Sequence, residues 1–197
     1  MREMSAEPAH LLRLTVLGCS TAAPHPGSPA AGFLVEWGPT ALMLDAGQGT
    51  IRRLERVLDP HDLSAVIIGH MHADHYLDLV GLRYLFAWGE ATPDPLPVHL
   101  PPGGRARLDG LAAAISERVG FFDAAFDVEE YDPDRPLHVG PLVVRSVPAQ
   151  HYVPAWGVVV EAPRPAARRA ALLTQTLWPS WARSAQGRSP TIASTGQ

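Results

Sequence analysis

The chain has 197 residues, a formal net charge of −4 and 46% hydrophobic residues. That length suits one domain with a sizeable core, and that composition argues against a disordered chain. A lone cysteine, Cys19, excludes an intramolecular disulfide, and no apolar run is long enough to cross a bilayer, so the expected setting is intracellular and cytoplasmic.

Residues 11–17 read as a first strand that stops at Gly18, with Cys19 expected as a small packed residue at its end. Pro24, Pro26, Gly27 and Pro29 make the next stretch a loop. Residues 32–37 and 41–44 read as a hairpin turning at Gly38-Pro39. Residues 48–58 place Ile51, Leu54, Val57 and Leu58 at helical spacing, and Pro60 ends that helix. The short run 65–68 is wholly apolar, which suits a strand inside a sheet. Residues 76–88 read as a helix packing Leu77, Val80, Tyr84, Leu85 and Trp88 on the core. A strand at 96–100, a helix at 104–119 and strands at 126–131, 142–147 and 156–160 follow. Interleaving of this kind, without a long linker, predicts a layered α/β domain.

Charge is unevenly placed. Residues 1–161 hold all 20 acids, while 162–197 carry arginines and no acid. An acidic body offers no broad basic face to a polyanion, which counts mildly against a dedicated RNA-binding protein. The stretch 163–197 reads as an atypical Arg/Pro/Ser-rich tail with a composition compatible with disorder. The domain proper is expected at 1–162.

The chemistry concentrates in Gly69-His70-Met71-His72-Ala73-Asp74-His75. Four potential ligands lie within six positions directly after an apolar strand. Imidazole and carboxylate are the donors that zinc takes. In an extended segment His70 and His72 point the same way, because side chains alternate faces. Asp74 and His75 are then free to turn toward a second ion.

This H-x-H-x-D-H cluster resembles the signature of the metallo-β-lactamase superfamily. Residues 13–20 (Arg-Leu-Thr-Val-Leu-Gly-Cys-Ser) resemble its opening strand and turn, and 42–49 (Leu-Met-Leu-Asp-Ala-Gly-Gln-Gly) its next glycine segment. The run Asp74-His75-Tyr76-Leu77-Asp78-Leu79-Val80-Gly81-Leu82 resembles the ribonuclease Z-like and cyclic-nucleotide phosphodiesterase branch. His151 follows residues 143–148 where that family places its next ligand. The resemblance implies an αββα sandwich. It implies one metal on His70, His72 and His151 and a second on Asp74 and His75. The ions would be zinc, with manganese and iron as alternatives. Asp74 would also be catalytic, orienting a hydroxide formed on the metal; Asp45 would fix imidazoles by hydrogen bonds. Ser20 and Thr21 would touch substrate.

The family also uses a bridging Asp and a final His beyond His151, and neither is found after Glu161. The sandwich is therefore expected to be C-terminally incomplete, through truncation or a misread G+C-rich frame. Three readings follow. The first is a metal-dependent hydrolase of a small phosphodiester such as a cyclic nucleotide. The second is a transfer-RNA 3′-processing enzyme acting on an RNA end, although no basic arm is visible. The third is an inactive metal-binding relative. A second copy of the chain is a candidate partner; a membrane is not.

Overall fold

The computed structural model describes residues 11–23, 25–88 and 94–163, and the backbone of 169–172. Six strands form the first sheet in chain order: β1 (Arg13–Gly18), β2 (Gly32–Trp37), β3 (Thr40–Leu44), β4 (Ala65–Ile67), β5 (Leu96–Leu100) and β6 (Phe126–Glu130). The pairs β1–β2 and β2–β3 are antiparallel. From β3 to β6 every pairing is parallel. The second sheet is antiparallel throughout. It contains β7 (Leu137–Val139), β8 (Leu142–Pro148), β9 (Trp156–Glu161) and β10 (Arg169–Leu172), ordered β10-β9-β8-β7.

Side-chain alternation along the strands sorts the core into two layers. On one face of the first sheet Leu34, Met43, Val66, Leu96, Val98 and Leu100 pack against helices. On the other, Val35, Trp37, Leu42, Leu44, Ala65 and Ile67 meet Val139, Leu142, Val144, Val158 and Val160 of the second sheet. Because β3 is covered on both faces, all five of its residues are buried. The described helices are α1 (Thr50–Leu54), α2 (Ala73–Tyr76), α3 (Leu79–Ala87) and α4 (Gly104–Ile115). Buried residues of α1, α3 and α4 join the first layer, so three of the four layers of an αββα sandwich are present among the described residues.

Most expected elements are found, with informative differences. The helix expected over 76–88 is two short helices; of the expected stripe Val80 and Leu85 pack half-buried against the core, while α3 turns a neighbouring face fully inward. Leu79, Leu82, Arg83 and Phe86 are buried, whereas Trp88 is 71% exposed and Tyr84 lies at the surface. Both faces of this segment are apolar at helical spacing, so periodicity alone could not choose between them. The buried Arg83 is satisfied by donating to the Phe121 carbonyl, 2.8 Å away. Cys19, expected as packed, is exposed, because the chain leaves the sheet at Gly18. Strands β7 and β10 were not anticipated. β10 lies beyond residue 162 and pairs along β9 from Arg169↔Glu161 to Leu172↔Val158. Residues 164–168 and 173–197, with Trp178 and Trp181, lie outside the described residues.

Leu42 is fully buried between the sheets. Leu42→Ala should lower unfolding stability by about 2–5 kcal/mol. Urea melts of both proteins check this, and a loss below ~1 kcal/mol would contradict close packing of the sheets.

Candidate metal centre

The candidate ligands are gathered by three connections at the carboxyl ends of β3, β4 and β8. After β3 the chain turns sharply through Asp45, which takes a left-handed conformation with φ of 58° and is fully buried. Asp is among the few side chains that tolerate this region. Its backbone N–H donates to the Ile67 carbonyl (2.9 Å), which keeps the turn against β4. Its carboxylate then does two things. Oδ1 accepts the Gly69 N–H at 2.8 Å, and Oδ2 bonds His75 Nδ1 at 2.7 Å. One carboxylate thus holds both ends of the segment that carries His70, His72 and Asp74.

The segment is also clamped from below. The Ala46 N–H donates to the His75 carbonyl, and the Ala31 N–H to that of Asp74. A Cβ on Gly47 would overlap the Asp74 carbonyl oxygen, so only glycine allows this approach. Asp78 Oδ2 accepts from the Ile51 N–H (2.9 Å) and the Thr50 hydroxyl (3.3 Å), binding the start of α1 to the start of α3. The sequence reading missed this cap. Its partners lie 27 and 28 residues away, beyond the local spacing at which caps are recognised.

His151 arrives from the second sheet, in the loop between β8 and β9. That loop is closed by Ala149 N–H donating to Ala155 O (2.9 Å), and is tied across the sandwich by Trp156 N–H donating to Gly69 O (3.0 Å). On the other side the Tyr131 hydroxyl donates to Ile68 O at 3.2 Å.

The result is a cluster of imidazoles. His70 Nε2 lies 3.1 Å from His72 Nδ1, and His151 Nε2 lies 3.0 Å from the same atom. One ring nitrogen from each of the three residues falls within 4.8 Å of the others. Ligand nitrogens around a tetrahedral zinc sit roughly 3.4 Å apart, given Zn–N bonds of about 2.1 Å. The donor set and its spacing therefore fit one borderline-soft divalent ion. His70 and His72 do point the same way. Asp74 and His75 stand beside this trio rather than in it: their nearest charged atoms are 3.7 Å apart, and the His70 and His75 rings are 3.9 Å apart between centroids. Asp45 bonds the His75 ring through Oδ2. Tyr152, which the sequence reading did not single out, packs on His72 and His151. Its position next to His151 was the available signal. Ser20 and Thr21 lie in the turn after β1, and neither hydroxyl bonds to the cluster among the described residues; Ser20 is tied by its N–H to Pro29 O.

Electrostatics prepares these rings to donate lone pairs. Burial, with His75, His72 and His151 close by, pushes His70 down to about 2. Burial lowers His72 as well, and His151 falls for the same reason, with His72 and His75 adding to it. These rings are neutral near pH 7, which is the form a metal requires. His75 goes the other way. Burial opposes its charge, but the carboxylates of Asp45 and Asp74 and the hydrogen bond to Asp45 outweigh it, so its pKa is raised.

Residues 40–175 match the model of the beta-lactamase superfamily domain. The chain belongs to that superfamily. It is 34% identical over 163 residues to an uncharacterized protein of Mycobacterium tuberculosis, a match covering 77% of this chain and 56% of that protein. It is 28% identical over 154 residues to ribonuclease Z of Mycobacterium bovis, covering 72% and 55%. These ribonuclease Z relatives agree with the branch that the motif suggested. The chain thus spans about half the length of these relatives. Two solved structures share the fold. The metallo-beta-lactamase fold protein YhfI of Bacillus subtilis superposes with a TM-score of 0.66 at 22% identity, over 76% of this chain and 58% of that one. The short form of human tRNase Z gives 0.61 at 20% identity, over 80% and 66%.

Asp45→Ala would strip His75 and Gly69 of their buried acceptor and put a Cβ without local hydrogen bonds at positive φ. A loss of about 3–5 kcal/mol is expected, since a buried ionic partner is left alone. Asp45→Asn tolerates the backbone and retains an acceptor, so it should lose less; denaturant melts of the two variants compare them directly.

His70 carries the pH signature. Its folded pKa lies below the unfolded value, so its neutral form supports the fold above about 6.5, and that support is lost as pH falls from there toward 2. The metal-free protein should melt at lower temperature at pH 5 than at pH 7. His70→Gln should flatten that slope; an unchanged slope would assign the effect elsewhere.

Proposed function

We propose that this chain is the catalytic portion of a metal-dependent phosphodiesterase that acts on a small phosphodiester such as a cyclic nucleotide. The observation that supports it most is the meeting of His70, His72 and His151, neutral and within 4.8 Å, beside the carboxylate of Asp74. A divalent ion held there, zinc by preference of its donors, would polarise a phosphoryl oxygen and bring the pKa of a coordinated water toward about 7. In this reading Asp74 accepts a proton from the attacking water and fixes its direction. Its side chain is 16% exposed, open enough to reach substrate. His75 presents Nε2 toward Asp74 while Nδ1 is held by Asp45, so the pair offers two donors to a second ion. Asp45 sets the ring orientation of His75 and acts through it.

A second reading, processing of an RNA end, is favoured by the ribonuclease Z relatives. The structural neighbours also include a diphosphatase of the PhnP family, at a TM-score of 0.59 and 18% identity, which shares the fold. Fold alone does not choose the substrate.

Bis(p-nitrophenyl) phosphate is the first probe. Turnover should vanish with a chelator and return with zinc or manganese. His72→Ala should abolish bound metal, whereas Asp74→Ala should keep part of the metal and lose at least 100-fold in kcat, on the order expected for losing a positioned base. Chelator-insensitive turnover, or equal metal loss in the two variants, would overturn the assignment.

A further inference from the structure

Around α1 lies a group of cations that the reading above does not use. Arg52 and Arg53 lie on α1 and Arg56 in the turn that follows it, three and four residues on, a separation that makes side chains neighbours. All three are exposed, and they line an open pocket of about 380 Å³ with His25, Gly27 and Gly49. Arg13, Arg105, Arg135 and Arg145 each pair with a carboxylate. No such pair is made by Arg52, Arg53 or Arg56 among the described residues. Arg53 uses one N–H on the Gly27 carbonyl at 2.7 Å, which fastens the 25–29 loop over the helix. A second cavity, of about 420 Å³, differs: its Arg105 is already taken by Asp109 and Asp123. Unpaired guanidinium groups gathered in a concavity repel one another, and an anion relieves that repulsion. Their planar forks match phosphate oxygens in pairs.

One short backbone path runs from the pocket to the segment that carries the candidate ligands. Gly49 is two residues from Gly47, whose Cα rests against the Asp74 carbonyl. Two residues span at most about 7 Å, so the Cα of Gly49, which lines the pocket, lies roughly 11 Å or less from that carbonyl. We propose that Arg52, Arg53 and Arg56, with His25, form a subsite for a second phosphate group of the substrate, separate from the diester under attack. The proposal rests on the phosphodiesterase reading for its purpose, but its binding test does not.

The test is calorimetric titration of the full chain with inorganic pyrophosphate, with chelator present so that the imidazole cluster takes no part. Wild type should bind, and the double variant Arg52→Gln, Arg56→Gln should bind at least tenfold more weakly while melting at the same temperature. The corresponding double Lys variant should keep most of the affinity. Arg118→Gln, a surface arginine outside the pocket, should change it less than twofold. No binding by wild type, unchanged affinity in the double Gln variant, or an equal loss in Arg118→Gln would overturn the subsite. In turnover, the ratio of kcat/KM for a 5′-phosphorylated dinucleotide to that for bis(p-nitrophenyl) phosphate should fall at least tenfold in the double Gln variant. A chain that binds pyrophosphate in this pocket and cleaves no diester would refute the phosphodiesterase reading and leave the subsite standing.

Discussion

The candidate site depends on one fully buried carboxylate. Asp45 leaves the first sheet in a left-handed conformation and bonds Gly69 N–H on one side and His75 on the other. Those two bonds fix both ends of a seven-residue excursion, so the positions of His70, His72 and Asp74 between them follow. A charge with no exposure is costly unless it is paired and hydrogen-bonded. Here both oxygens are engaged, and the cost is offset by the raised affinity of His75 for its proton. The same arrangement explains the opposed electrostatics of the four neighbouring histidines. One is held toward its cationic form by acids, and three are kept neutral by burial and by one another.

Much of this was legible in the chain. The spacing of His70 and His72 along an extended segment predicted that they face the same way, and they do. The strands of the first sheet were visible because each is bounded by glycine, proline or a change of period. What could not be read was anything set by distant partners. Asp78 caps a helix more than 25 residues away. The face that α3 buries was hidden because Leu79, Leu82 and Phe86 and the stripe Leu77, Val80 and Leu85 have the same period. Tertiary packing decided between them. β7, three residues long, is too short to show alternation.

Net charge carries no information on where charges stand. A negative total and an acidic body suggested no welcome for polyanions. Yet charge acts over about a Debye length of 8–10 Å. Within that range of α1 the balance is local, set by Arg52, Arg53 and Arg56 together with Glu55 and Asp78 beside them. The folded chain sorts its charges by position, which no sum over residues can express.

The loop between β8 and β9 brings His151 to His72 from the opposite sheet. An ion shared by His70, His72 and His151 would therefore be a clasp between the two halves of the sandwich. Binding to the closed sandwich alone stabilises it by RT ln(1 + [L]/Kd), about 2.7 kcal/mol at one hundred times the dissociation constant. Such a clasp would tie the protein's persistence to metal supply. In a metal-starved cell the sheets would part more often, and proteases that take open chains would remove the protein before its chemistry was missed.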